Sequence, residues 1–180
     1  PVLSVSEGTI GTEFTITGSG FGTKKGKVLI GGVATKVTSW NDTLITCTVK
    51  KVPLPIGLYD VSISSKTIGT IPLDNAFTVK DPELDTLLDN SGVSGDEITV
   101  TGNFFGTKKG KVYLEYDKNG QTKKKNCKVT NWSMNEATGV STLTFVVPKV
   151  SKSFAAGAYP LKVENKVGIA TANTNFTILP

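Results

Sequence analysis

The stretch GTEFTITGSGFGTKKGKV at residues 11–28 aligns without a gap on GDEITVTGNFFGTKKGKV at residues 95–112. The correspondence continues with KVTSW (36–40) on KVTNW (128–132), LITCTV (44–49) on TLTFVV (142–147), GLYDVSI (57–63) on GAYPLKV (157–163), and NAFTV (75–79) on TNFTI (174–178). The offset grows from 84 to 92 to 100, so the second copy is lengthened by loop insertions. A chain written twice is constrained to two similar units, each closing its own core.

Within each copy the apolar residues recur at a spacing of two: Phe14 and Ile16, Val28 and Ile30, Ile45 with Cys47 and Val49, Tyr59 with Val61 and Ile63, Phe77 and Val79. That spacing turns one side chain inward and the next outward along a half-buried strand. Thr fills many outward positions, where β-branching suits a pleated surface. Helical three-four spacing is almost absent. About seven short strands per copy, punctuated by Gly, Pro and Asn, predict an all-β chain of two tandem immunoglobulin-like β-sandwiches. The boundaries fall at 1–80 and 81–180, with a lengthened hairpin near 115–126 turning on Asn119-Gly120 as a type I′ turn.

Several motifs resemble the IPT/TIG domain, an immunoglobulin-like module of transcription factors, plexins and many bacterial surface proteins. They are the opening Pro-x-Leu-x-x-x-x-Gly, Thr-Ile-Thr-Gly-Ser-Gly-Phe-Gly ending at Gly22, Trp40, and Gly57-x-Tyr59-x-Val61. The second copy keeps Thr101-Gly102, Phe105-Gly106, Trp132 and Gly157-x-Tyr159. It departs by placing Phe104 where the first copy has Gly20, and EYDKNGQTKKKN (115–126) where the first has Gly-Gly. The resemblance implies a scaffold reused for many purposes, so function must come from particular surfaces.

What is missing narrows the chemistry. There is no His, so no Ser-His-Asp triad and no imidazole metal ligand. All 20 basic residues are Lys, and bidentate reading of bases or phosphates leans on Arg. Sequence-specific nucleic-acid binding is therefore not expected, while the net charge of +5 allows salt-sensitive attraction to anionic surfaces. The residues predict no enzyme, no cofactor and no metal site. Cys47 and Cys127 lie at non-corresponding positions of the two copies and read as buried or semi-buried free thiols. No apolar run approaches the ~18 residues that cross a membrane, so no insertion by this segment is expected. A chain opening on Pro rather than Met reads as a trimmed piece of a longer protein.

The duplicated Gly-Thr-Lys-Lys-Gly-Lys run is not a phosphate-binding loop. That loop needs four residues between its glycines, a Ser or Thr after the lysine, and a helix. Here three residues separate Gly22 from Gly26, Val28 follows, and a strand comes next. The run is expected to be a strand connection, with Lys24, Lys25, Lys108 and Lys109 as candidate anion contacts. Phe21/Phe105, Trp40/Trp132, Tyr59/Tyr159 and Phe77/Phe176 pair across the copies and read as packing, the two tyrosines as sandwich corners.

The aromatics special to the second copy are the other candidates. Between Val112 and Leu114, both inward, Tyr113 falls on the outer face; with Tyr116 and Phe154 it is expected to offer a sugar-stacking surface. Lys123, Lys124 and Lys125 crowd the return strand of the hairpin, as an anion contact or as guards of an open sheet edge. Three functions stay open: a non-catalytic extracellular or cell-surface interaction or spacer module, a surface glycan-binding protein, and a DNA-contacting domain of a transcription factor. The expected partner is a protein or polysaccharide at a cell surface, and no oligomeric state is legible.

Overall fold

A computed structural model describes residues 1–180. The chain is all-β and forms two sandwiches. It divides into two compact units, one of residues 1–80 with 135–139, the other of 81–134 with 140–180.

In the first unit the strands are β1 (Val2–Leu3), β2 (Glu7–Gly8), β3 (Glu13–Thr17), β4 (Lys27–Ile30), β5 (Val33–Ala34), β6 (Lys36–Trp40), β7 (Leu44–Thr48), β8 (Gly57–Ser65) and β9 (Gly69–Val79). One sheet has the order β1-β3-β7-β6 and the other β2-β9-β8-β4-β5. The spacing of two explains the interior. Phe14 and Ile16 from β3, Ile45 and Cys47 from β7, Val28 and Ile30 from β4, Val61 and Ile63 from β8, and Phe77 and Val79 from β9 are all buried. Phe14 meets Phe77 across the two sheets with ring centroids 5.7 Å apart. Each such side chain contributes about 1.5–3 kcal/mol through the water it sheds. The chain opening serves both sheets, since β1 pairs antiparallel with β3 and β2 parallel with β9.

The second unit has β10 (Glu83–Leu84), β11 (Ser91–Gly92), β12 (Glu97–Asn103), β13 (Lys111–Lys118), β14 (Gln121–Met134), β15 (Val140–Val146), β16 (Gly157–Tyr159), β17 (Leu161–Glu164), β18 (Ile169–Thr171) and β19 (Phe176–Ile178). The same split opening recurs, β10 on β12 and β11 parallel to β19. The core gathers Ile98, Val100, Val112, Leu114, Leu143, Phe145, Leu161, Val163, Phe176 and Ile178.

Two local changes separate the copies. Pro160, which has no N–H, stands where the first copy has Asp60, and it divides β16 from β17 where β8 is continuous. The insertion lengthens β14, whose first part pairs with β13 and whose last part pairs with β15. In the first unit the same path is broken into β5 and β6 at Thr35. The hairpin between β13 and β14 turns on Asn119 and Gly120 with φ of 59° and 76°, the two left-handed residues that a type I′ turn requires.

Candidate functional site

The repeated lysine run is bound into the scaffold residue by residue. Gly22 and Gly106 have φ of 73° and 82° and turn their carbonyls to accept from the indole Nε1 of Trp40 and Trp132, at 3.0 and 2.8 Å. Gly26 and Gly110 leave room for a neighbouring strand, because a Cβ at either would lie 2.0 or 2.2 Å from the carbonyl of Ser64 or Glu164. The second lysine of each run donates to a strand carbonyl, Lys25 to Val37 at 2.7 Å and Lys109 to Val129 at 2.8 Å. Both acceptors stand at a β-bulge, where the register slips between Val37 and Ser39 and between Val129 and Asn131. All four lysines are exposed, but Lys25 and Lys109 serve the fold through these bonds. Beside the first run an open groove of about 530 Å³ carries Lys25, Lys27 and Lys66.

Tyr113 is not the exposed platform expected from the sequence. Its side chain does leave the sandwich core, yet it is only 1% exposed. Lys124 reaches across it from β14, with Nζ 4.2 Å from the ring centroid and 3.2 Å from Glu164 Oε2 on β17. Lys162 pairs with Glu115 at 3.4 Å on the same face. Alternation gives a side chain its direction but does not say what lies above it; here long lysine stems and their carboxylate partners close over the ring. Hydrogen bonding to Tyr113, then to Glu164, holds the Lys124 ammonium above its ordinary value. The Lys124 hydrogen bond is likewise the leading reason that Glu164 lies below its own.

The other two aromatics meet at one end of the second unit. Tyr116, paired with Lys123, lies on the inward side of β13 but beyond the core. Its ring meets Phe154 edge-on at 5.1 Å, and Phe154 stacks on Tyr159 at 4.7 Å. Lys125 places Nζ 5.4 Å from the centroid of Phe154. Phe154 is 2% exposed, a correction to its expected place on a binding surface: packed between two tyrosines, it is their support. Tyr116 and Tyr159 are half-buried and keep part of their surface in water. Lys123 donates to Gln121 Oε1 at 2.9 Å and remains exposed. The structure therefore joins Tyr116, Phe154, Lys123 and Lys125 and leaves Tyr113 and Lys124 on the opposite face of the sheet.

Sequence reasoning missed Tyr159 as a member of this group by assigning it to a corner. It is also a corner: its hydroxyl donates to the Ala155 carbonyl at 2.8 Å, as that of Tyr59 does to Pro55. The only sequence signal was Phe154, five residues earlier, where the first copy has Leu54.

The two cysteines are free and buried, as expected. Burial pushes the Cys47 thiol up to about 11 and the Cys127 thiol up to about 12, so neither is a nucleophile near neutrality. Among the described residues no group of three or more Cys, Asp or Glu stands ready to hold a metal ion.

A model of the IPT/TIG domain family matches residues 2–79. The first unit is an IPT/TIG domain. The second is an immunoglobulin-like domain that repeats it in sequence, with its strands in the orders β10-β12-β15-β14-β13-β17-β18 and β11-β19-β16. IPT/TIG domains are non-catalytic modules. A 97-residue stretch is 35% identical to part of a cyclomaltodextrin glucanotransferase of Thermoanaerobacterium thermosulfurigenes, covering 52% of this chain and 13% of the transferase. The chain is also similar in fold to the extracellular region of plexin A4, at a TM-score of 0.50 and 15% identity, over 99% of this chain and 18% of that one. A surface glycan-binding protein of Prevotella bryantii aligns over 96% of this chain and 38% of its own, at a TM-score of 0.39 and 16% identity. The IPT/TIG unit and its repeat thus match short parts of much longer proteins.

Proposed function

We propose that this chain is a non-catalytic interaction module of a larger extracellular or cell-surface protein, and that the Tyr116–Tyr159 end of its second unit contacts carbohydrate. The observation that carries the reading is the stack itself. Two half-exposed tyrosines are locked onto a buried phenylalanine, with Lys123 and Lys125 at their side. Pyranose rings present apolar C–H faces that pack on such rings, while ammonium groups and tyrosine hydroxyls donate to sugar oxygens. A ring held by packing loses little entropy on binding. The partial match to a cyclomaltodextrin glucanotransferase makes α-glucans the first class to try.

The direct experiment is electrophoresis of the full chain through gels containing soluble starch. Retardation that Tyr116→Ala removes and Tyr113→Phe leaves intact is the expected result. Equal mobility with and without starch, and with other soluble polysaccharides, would refute the carbohydrate reading.

A further inference from the structure

The two units differ most at equivalent ends. Leu54, Pro55, Ile56 and Leu58 of the first correspond to Phe154, Ala155, Ala156 and Ala158 of the second, the hydroxyls of Tyr59 and Tyr159 fixing the register through Pro55 and Ala155. In the second unit β13 runs on to Lys118 and lays Tyr116 against Phe154, which is 2% exposed. In the first unit the chain turns back at Gly31 and Gly32 and nothing takes the place of Tyr116. Yet Pro55, Ile56 and Leu58 are larger and more apolar than the alanines at the equivalent positions of the second unit. Leu54 is 63% exposed, Ile56 42% and Leu58 54%.

The backbone is open at the same place. β8 begins at Gly57, but its pairing with β4 begins only at Val61, opposite Ile30. The Gly57–Tyr59 stretch pairs with β9 on one flank and has no strand on the other. An apolar ledge beside an unpaired strand flank is the arrangement that accepts an added extended segment. Three large apolar side chains within five residues, left in water, carry a solubility cost that a docking role explains.

We propose that this ledge is the docking surface for a protein partner's extended segment, which sets an aromatic side chain on Leu54 as Tyr116 sits on Phe154 in the second unit. The duplicate also indicates the partner's charge. Tyr116 is flanked in sequence by Glu115 and Asp117, and the chain leading into Leu54 carries exposed Lys50 and Lys51. The partner segment is therefore aromatic with acidic neighbours.

The test uses the full chain labelled with ¹⁵N and, as probe, a cyclised hairpin peptide with Glu-Tyr-Asp in one strand, threonines in the other and an Asn-Gly turn. The expected result is saturable shifts confined to Gly31–Gly32 and Leu54–Tyr59. They should weaken about tenfold when the probe tyrosine becomes Ala. They should vanish in Leu58→Lys, a substitution at an exposed position that leaves the rest of the spectrum in place. Absence of shifts at millimolar peptide, or shifts elsewhere in the chain, overturns the proposal. So does concentration-dependent self-association that Leu58→Lys abolishes, which would make a second copy the occupant. Shifts of Leu54–Tyr59 on adding maltoheptaose would overturn it in favour of a sugar.

Discussion

Lys25 donates to the carbonyl of Val37 at 2.7 Å, and Lys109 repeats the bond to Val129 at 2.8 Å. A β-bulge withdraws part of the strand from its ladder, and a charged donor satisfies the carbonyl left there. Substituting Lys25 or Lys109 by Met should cost about 1 kcal/mol of stability, since the bonds lie near the surface. Lys24→Met and Lys108→Met should cost nothing measurable. Urea unfolding of the four variants checks the contrast; equal effects would mean the duplicated run owes nothing to the bulge.

The cover over Tyr113 makes a prediction about reactivity. Tetranitromethane at mildly alkaline pH should nitrate Tyr116 well before Tyr113, as read by peptide mass mapping. Glu164→Gln or Lys124→Ala should bring Tyr113 up to the rate of Tyr116. Tyr113 reacting first in the unaltered chain would contradict the cover.

The same cover has a pH dependence. Glu164 is held below its ordinary value, so the folded state binds its proton less readily than the unfolded chain does. Its contribution is complete above the ordinary carboxylate range and is lost as pH falls through the lowered value. Lys124 should leave the ring in acid, seen as a shift of the Tyr113 ring resonances that Glu164→Gln already shows at neutral pH.

The thiols work at the other end of the scale. Cys47 keeps its proton to about 11, where an unfolded thiol loses it near 9.0. Between those values the unfolded state binds fewer protons, so stability falls as pH rises. Cys47→Val should flatten the decline above pH 9 in thermal melts, and iodoacetamide should leave both thiols unmodified in the native protein near neutrality. Rapid alkylation of Cys47 without unfolding would contradict its burial.

The interior was legible because one property sufficed. Phe14, Ile16, Val61 and Ile63 alternate with polar residues, and alternation is what a half-buried strand consists of. The surface needed more. Parity correctly sent Tyr113 out of the core, but its burial depends on Lys124 and Glu164, which come from two different strands. Tyr116, expected beside Tyr113, instead shares the parity of Val112 and Leu114, and its role depends on where the loop carrying Phe154 folds. Nor could the partner of Lys25 be read, because it depends on a bulge, and a bulge is a slip in pairing that leaves no mark in a single strand.

The carbohydrate contact proposed for the tyrosines packed on Phe154 can be tested at residue resolution. The most direct measurement is a titration of the ¹⁵N-labelled chain with maltoheptaose, and then with other soluble oligosaccharides, followed residue by residue. Saturable shifts at Tyr116, Lys123, Lys125 and Tyr159, absent in Tyr116→Ala, are the predicted result. Saturable shifts centred on the Lys25 groove or anywhere else away from Phe154, or no shifts with any sugar at millimolar concentration, would contradict it.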